Sequence, residues 1–352
     1  MKKSKKKNHT QIIQSFDPNE AAFEGSNIFG LPFTIEEASI VLIPVPWEVT
    51  VSYASGTARG PACILEASKQ VDLFHLFNEN VWKQGIAMDE IPREIEEIND
   101  YQRSLAKNYL SNYVKKKLKK NSRAALEEIN NACHYLNEHV KNKSEKFLND
   151  GKIVGVVGGD HSSPLGLLQA LAQRNQNFSI LQIDAHADLR NAYEGFLYSH
   201  ASIMYNAVQL RAVSNLVQVG VRDLCEEEYR FIEKSANRIS CFHNEYLSSE
   251  KFSGRSWKSL ADVIVSHLSE NVYISFDIDG LEAQYCPNTG TPVPGGLSYN
   301  EAVFLIRRVV ESGRKIIGFD LCEVAPRDND WDANVGARLL FELCAWSTIH
   351  KN

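Results

Sequence analysis

Ile183-Asp184-Ala185-His186-Ala187-Asp188-Leu189-Arg190, directly after the largely apolar run Phe178–Ile183, is the stretch whose reading decides the fold. Six residues of this character read as a strand buried on both faces, as in a parallel sheet. The carboxyl end of such a strand is where an open α/β sheet places its ligands. Side chains of an extended chain alternate between faces, so Asp184, His186 and Asp188 converge on one side while the chain stays extended. Three oxygen and nitrogen donors on one short segment point to a metal.

Two further segments repeat the pattern. Residues 152–157 are strand-like and end in Gly158-Gly159-Asp160-His161-Ser162, where the glycines permit a tight turn and close backbone approach. Residues 272–276 lead into Asp277-Ile278-Asp279-Gly280, again a strand followed by acids at alternate positions. His161, Asp184, His186, Asp188, Asp277 and Asp279 are then six ligands from three strand ends. A single zinc prefers four ligands rich in sulfur and nitrogen. Six hard donors suit two divalent ions ~3.5–4 Å apart. Carboxylate with some imidazole favours Mn²⁺, and affinity order alone leaves Fe²⁺, Co²⁺ and Ni²⁺ open.

These three motifs, in this order and spacing, resemble the arginase/agmatinase/formiminoglutamase family, the ureohydrolases, and within it the agmatinase-like members. The likeness runs from about residue 40 to the C-terminus. It includes residues 41–44 as a first strand and Ser55-Gly56-Thr57, Gly60 and Pro61 as the turn into a first helix. The resemblance implies two Mn²⁺ per subunit, one held by His161 and Asp188, the other by His186 and Asp279, with Asp184 and Asp277 bridging. It implies hydrolysis of a guanidino carbon to urea and an amine by a water whose pKa the ions lower. Tyr198-Ser199-His200-Ala201-Ser202 is similar to the loop carrying the family's proton-shuttling histidine, which makes His200 a catalytic residue. Phe319-Asp320-Leu321-Cys322-Glu323-Val324-Ala325-Pro326 is similar to the late strand whose glutamate binds the substrate guanidinium, a charge-assisted role for Glu323. One departure is local: after Asp279-Gly280-Leu281 the family pattern continues with aspartate and proline, whereas Glu282-Ala283 follow here.

Substrate choice is expected in the loops. Tyr193-Glu194-Gly195 before Tyr198-Ser199-His200 is similar to the agmatinase form, and Glu194 is an acid for a distal amine, so agmatine is the expected substrate. A surface acid pairing with Arg190 is the plainer role for Glu194. Trp47 and Tyr53 lie in a bulky first-strand loop and, if they narrow the pocket, favour guanidinobutyrate or free guanidine. Formiminoglutamate requires a basic residue for its carboxylates. Trp331 is a candidate for the entrance. Two readings of other classes remain: a di-metal phosphoesterase, and a metal-binding homologue without catalysis.

Composition frames the rest. A chain of 352 residues with 43% hydrophobic content buries a substantial core. Alternating apolar and helical patterns predict one α/β domain, a three-layer αβα sandwich with a mostly parallel central sheet. Its expected span is 36–352, after an N-terminal tail and lead-in over 1–35. A net charge of −6 argues against nucleic acid as a partner, and no stretch of 18 apolar residues suggests a membrane span. The basic run at 1–7 lacks an apolar region behind it and reads as a solvated tail. Seven scattered cysteines without metal spacing read as reduced thiols of a cytoplasmic protein. Residues 94–150 are helical in pattern and charge-rich, with a basic run at 115–120. They are expected as helices at the sheet's edge or as a subunit contact, since the family commonly forms trimers or hexamers.

Overall fold

A computed structural model describes residues 9–117, 120–327 and 329–349. The basic run at 1–7 and part of that at 115–120 lie outside the described residues. Eight strands form one sheet: β1 (Ile40–Val45), β2 (Ile86–Met88), β3 (Ile153–Gly158), β4 (Phe178–Ile183), β5 (Val213–Val219), β6 (Ile239–Phe242), β7 (Asn271–Asp277) and β8 (Lys315–Cys322). Their order is β2-β1-β3-β8-β7-β4-β5-β6, and every neighbouring pair is parallel. The helices among the described residues are α1 (His9–Ser15), α2 (Gly60–Ser68), α3 (Arg93–Val114), α4 (Lys120–Asn149), α5 (Leu165–Arg174), α6 (Ile203–Val208), α7 (Glu226–Glu233), α8 (Asn244–Phe252), α9 (Trp257–Ser266), α10 (Tyr299–Glu311) and α11 (Trp331–Ser347). None of them is long and apolar enough to cross a membrane.

Parallel strands carry both faces inward, and the packing shows it. In β1, Ile40 and Leu42 enter one apolar cluster while Val41 and Ile43 enter the other. The first cluster takes Ile64 of α2, Leu260 and Ile264 of α9, Leu305 of α10 and Leu339 of α11. The second takes Ala106 of α3, Val140 of α4, Leu167 and Leu168 of α5, and Met204 of α6. The result is the expected α/β sandwich, with helices on both faces of one sheet.

Two regions are more deeply built in than their sequences suggest. Ile28, Phe29, Leu31 and Phe33, in the stretch expected as a lead-in, are all buried, and Phe29 packs edge-on against Phe341 at 5.1 Å. The charge-rich segment expected at the sheet's edge is the α3–α4 hairpin, and it covers a face instead. Ile129, Cys133, Leu136, Val140 and Phe147 lie at intervals of three, four and seven residues, so they form one apolar stripe along α4. That stripe lies on β1 and β3 and against α5. Lys115, Lys116 and Lys117 are exposed between the two helices.

Close approach of α4 and α5 depends on Gly166. A Cβ there would meet the Asn137 carbonyl oxygen at 2.4 Å and the Lys141 nitrogen at 2.6 Å. Backbone atoms cannot swing aside as a side-chain end can, so Gly166→Ala should force the helices apart. The expected loss is about 1–3 kcal/mol of stability by denaturant unfolding. An unchanged midpoint would show that the helices do not need this contact.

Candidate active site

The four central strands β3, β8, β7 and β4 are consecutive in the sheet, and their carboxyl ends open on one spot. β3 runs through Gly159 and Asp160 into His161. β4 delivers Asp184, His186 and Asp188; β7 ends on Asp277 and turns through Ile278–Gly280, carrying Asp279; β8 runs into Glu323. All six expected ligands therefore come together, and Glu323 with them.

Their donor atoms form two overlapping sets. His161 Nδ1 lies 3.0 Å from Asp184 Oδ2, 3.0 Å from Asp188 Oδ2 and 3.4 Å from Asp277 Oδ2. His186 Nδ1 lies 3.1 Å from Asp279 Oδ2 and 3.6 Å from Asp184 Oδ1. Donors of His161, Asp184 and Asp277 lie within 4.8 Å of one another, as do those of Asp184, His186 and Asp279. Asp184 belongs to both sets through different oxygens, which is the arrangement a carboxylate bridging two cations requires.

Electrostatics asks for cations here. Burial pushes Asp188 up to about 7, with the adjacent Asp184 charge adding to it. Burial also holds Asp277 well above the usual carboxylate range, reinforced by Asp279, Asp184 and Glu323. Burial alone would lower His186, but the Asp279 and Asp184 carboxylates raise it to about 12. His161 is raised likewise, by Asp184 and Asp188 against its own burial. The cluster clings to protons, and the same field favours divalent ions in their place. A set of carboxylates and imidazoles without sulfur fits two hard or borderline ions.

A row of polar side chains lies one step down the strands. Gln218, Gln182, Ser275 and Asp320 occupy paired positions across β5, β4, β7 and β8. Gln218 Nε2 donates to Gln182 Oε1 at 2.6 Å, and Gln182 Nε2 donates to Asp184 Oδ2 at 2.7 Å. His161 Nε2 is 2.9 Å from Ser275 Oγ, which in turn donates to Asp320 Oδ2 at 2.8 Å. This relay turns Nδ1 of His161 toward the carboxylates. Sequence reasoning missed the row. Its signal was present: Gln182 and Ser275 each stand two residues before a ligand aspartate, inside buried strands.

Two of these side chains sit on left-handed backbone, Asp188 at φ 54° and Glu323 at φ 64°. Non-glycine residues there carry strain that the surroundings must hold. For Glu323 they do: its N–H donates to the Gly159 carbonyl at 2.8 Å and its carbonyl accepts from Thr289 Oγ1 at 2.8 Å. Its Oε1 accepts the His161 N–H at 2.9 Å. Burial, with Asp160 nearby, keeps its carboxyl well above the ordinary range.

A cavity of about 160 Å³ opens above the cluster, lined by His161, His186, Asp188, Asp277, His200 and Glu323, with Ser52, Arg190, Tyr193 and Asp223 at its walls. Burial pushes His200 down to about 3, and the positive charge of His186 and His161 adds to the effect. Two expected substrate contacts do not reach the cavity. Trp47 is 0% exposed within the second apolar cluster, because its loop turns the indole under the sheet's end. Glu194, at φ 54° in a turn, is half-buried away from the cavity lining. Tyr53, 79% exposed, does not line it either, and Trp331 donates its indole N–H to the Gln284 carbonyl at 2.9 Å instead. Arg190 approaches Glu228 at 3.7 Å and stacks over Tyr193 at 4.8 Å. The acid exposed at the wall is Asp223, which sequence reasoning did not single out.

Comparison with known proteins agrees with this geometry. A family model described as "Arginase family" matches residues 38–345. The N(1)-aminopropylagmatine ureohydrolase of Thermus thermophilus is 30% identical over 306 residues, covering 87% of this chain and 89% of that protein. An agmatinase of Bacillus anthracis is 25% identical, with 87% and 90% covered. The crystal structure of the agmatine ureohydrolase of Thermoplasma volcanium superposes with a TM-score of 0.70 at 24% identity, covering 92% of this chain and 95% of that one.

Two measurements check the site. Asp184→Ala should cost the protein both ions by plasma mass spectrometry; one ion kept at full occupancy would overturn the shared role. Ser275→Ala should leave the fold intact and weaken Mn²⁺ binding about ten- to a hundredfold, as lost outer-shell support does. Unchanged affinity would show that the relay does not orient His161.

Proposed function

Since the chain belongs to the arginase family, we propose that it hydrolyses agmatine to putrescine and urea with two Mn²⁺ ions held between His161, Asp184, His186, Asp188, Asp277 and Asp279. The observation that carries this reading is the pair of ligand sets sharing Asp184 beneath a closed-in cavity. Bound there, the ions would supply a water acidic enough to attack near neutral pH and would polarise the reacting carbon's substituents.

The protein's own groups supply the rest. Glu323, fixed through Oε1 by the His161 N–H, presents its carboxylate to the cavity as the partner of a guanidinium. Its placement beside the ligand sets brings the guanidinium carbon to them. His200 lines the same cavity, where burial lowers its pKa. In the proposed reaction its imidazole is placed to pass the proton given up by the attacking water to the departing amine nitrogen, which would otherwise have to leave as a strongly basic amide anion. Arg222 holds the β7 turn in place: its Nη2 donates to the Asp279 carbonyl at 2.7 Å and the Val293 carbonyl at 2.9 Å.

Agmatine is favoured over anionic guanidino compounds by the wall, where Arg190 is already engaged by Glu228 at 3.7 Å and by the Tyr193 ring at 4.8 Å. Asp223 is exposed there, a partner for a distal ammonium. The bulk expected to shorten the pocket is absent from it, since Trp47 is buried and Ser52 stands at the wall instead. The same acid suits the longer amine chain of aminopropylagmatine, the substrate in the name of the 30% identical relative. All seven cysteines are free thiols, in keeping with a reducing compartment.

Urea release by Mn²⁺-loaded protein with agmatine, aminopropylagmatine, arginine, guanidinobutyrate and guanidine tests the proposal. Agmatine or aminopropylagmatine should give urea with kcat/KM at least about tenfold above the others, the scale of one retained charge contact. Preference for guanidinobutyrate would overturn the role of Asp223, and no urea from any would overturn the reaction. His200→Ala should keep its metal and lose about a hundredfold or more in kcat. Asp277→Ala should lose both metal and turnover.

A further inference from the structure

The loop between Asp188 and His200 is short of internal support. Tyr193 and Phe196 exchange backbone hydrogen bonds at 3.1 and 2.8 Å, closing a small turn around Glu194 and Gly195, both at positive φ. Asn206 of α6 donates to the Leu197 carbonyl at 3.0 Å, and most of the remaining support comes from α4. Leu126, Asn130 and His134 are spaced four apart, on one face of the helix, and each meets the loop. A Cβ on Gly195 would lie 2.9 Å from Leu126. His134 stacks on Tyr198 with ring centroids 6.1 Å apart. Between them Asn130 acts like a strand edge: its Nδ2 donates to the Gly195 carbonyl at 3.2 Å, and its Oδ1 accepts the Leu197 N–H at 2.9 Å. From α3, Tyr109 packs on the buried Phe196 at 5.5 Å.

The same hairpin also holds the loop that brings Ser52 to the cavity. Asn99 Oδ1 accepts the Glu48 N–H at 2.8 Å, and buried Arg103 donates to the carbonyls of Val49 and Val51 and to Ser55 Oγ. The 189–199 loop therefore leans on α4 and α3, and the Ser52 loop on α3.

We propose that Asn130 is a positioning residue for His200: by bonding both a carbonyl and an N–H of the 195–197 turn, it sets where the loop delivers the imidazole. This rests on His200 being the proton carrier of the reaction proposed above. Asn130 touches no ligand of the ion sites and does not line the cavity, so its effect on turnover passes through the loop.

The test combines a structural and a kinetic readout. In Mn²⁺-loaded protein, Asn130→Ala should speed hydrogen exchange across residues 191–199 while leaving bound metal unchanged. Its kcat on agmatine should fall about tenfold, with KM changed less than twofold. In a His200→Ala background the same substitution should change kcat less than twofold, because the group it positions is gone. Asn130→Asp keeps the acceptor for the Leu197 N–H and should recover part of the loss. An equal fall in both backgrounds, or exchange unaltered over the loop, would overturn the proposal. Should the wild type release no urea from any guanidino compound while exchange still rises in Asn130→Ala, the reaction fails and the loop contact stands.

Discussion

Negative charge crowded where water is scarce is the constraint on which this molecule is built. Asp184, Asp188, Asp277 and Asp279 all lie buried within reach of two imidazoles, and Glu323 is buried beside them. A lone buried carboxylate would simply take up a proton. Several at once, sharing oxygens with two histidines, form a site whose charge is balanced best by divalent cations. The protein accepts that cost locally and steadies Asp184 and His161 from behind through Gln182 and Ser275 of the polar row, and the Asp279 turn through the Arg222 guanidinium.

A parallel sheet is well suited to this task. All strands end on one side, so four neighbours deliver their side chains to one place without any long excursion of the chain. Apolar residues on both faces hold the strand ends rigid, and the polar row needs only alternate positions of otherwise apolar strands. Where regular geometry fails to aim a side chain, at Asp188 and Glu323, the backbone adopts left-handed φ, and hydrogen bonds such as Glu323 N–H to the Gly159 carbonyl hold it there.

This division explains what was legible in the sequence. Strand, ligand and motif are local, and the alternation of Asp184, His186 and Asp188 after an apolar run carries its own meaning. The strand-end motifs and the sandwich fold follow from such periods. Whether a side chain points into a cavity or under it is a tertiary matter. Trp47 and Glu194 are adjacent in sequence to the right segments, yet one is turned into the core and the other is half-buried in a turn without lining the cavity. Asp223 and Asn130 have no local pattern at all. The α3–α4 hairpin looked like ornament because its exposed charges outnumber its apolar stripe, though the stripe is what decides where a helix packs.

The consequence is a separation of labour within the molecule. Ion binding and the attack on a guanidino carbon depend on strand ends, whose geometry the whole sheet enforces. The side chains at the cavity wall, Ser52, Tyr193 and Asp223, stand on loops instead. The loops of Ser52 and Tyr193 are braced by α3 and α4, through Arg103, Asn99 and Asn130. A change in α3 or α4 can therefore shift these loops while leaving the ligand sets untouched. The ligand sets rest on the ends of the sheet, while two of the loops at the cavity rest on the packing of a hairpin that contributes no side chain to the cavity lining.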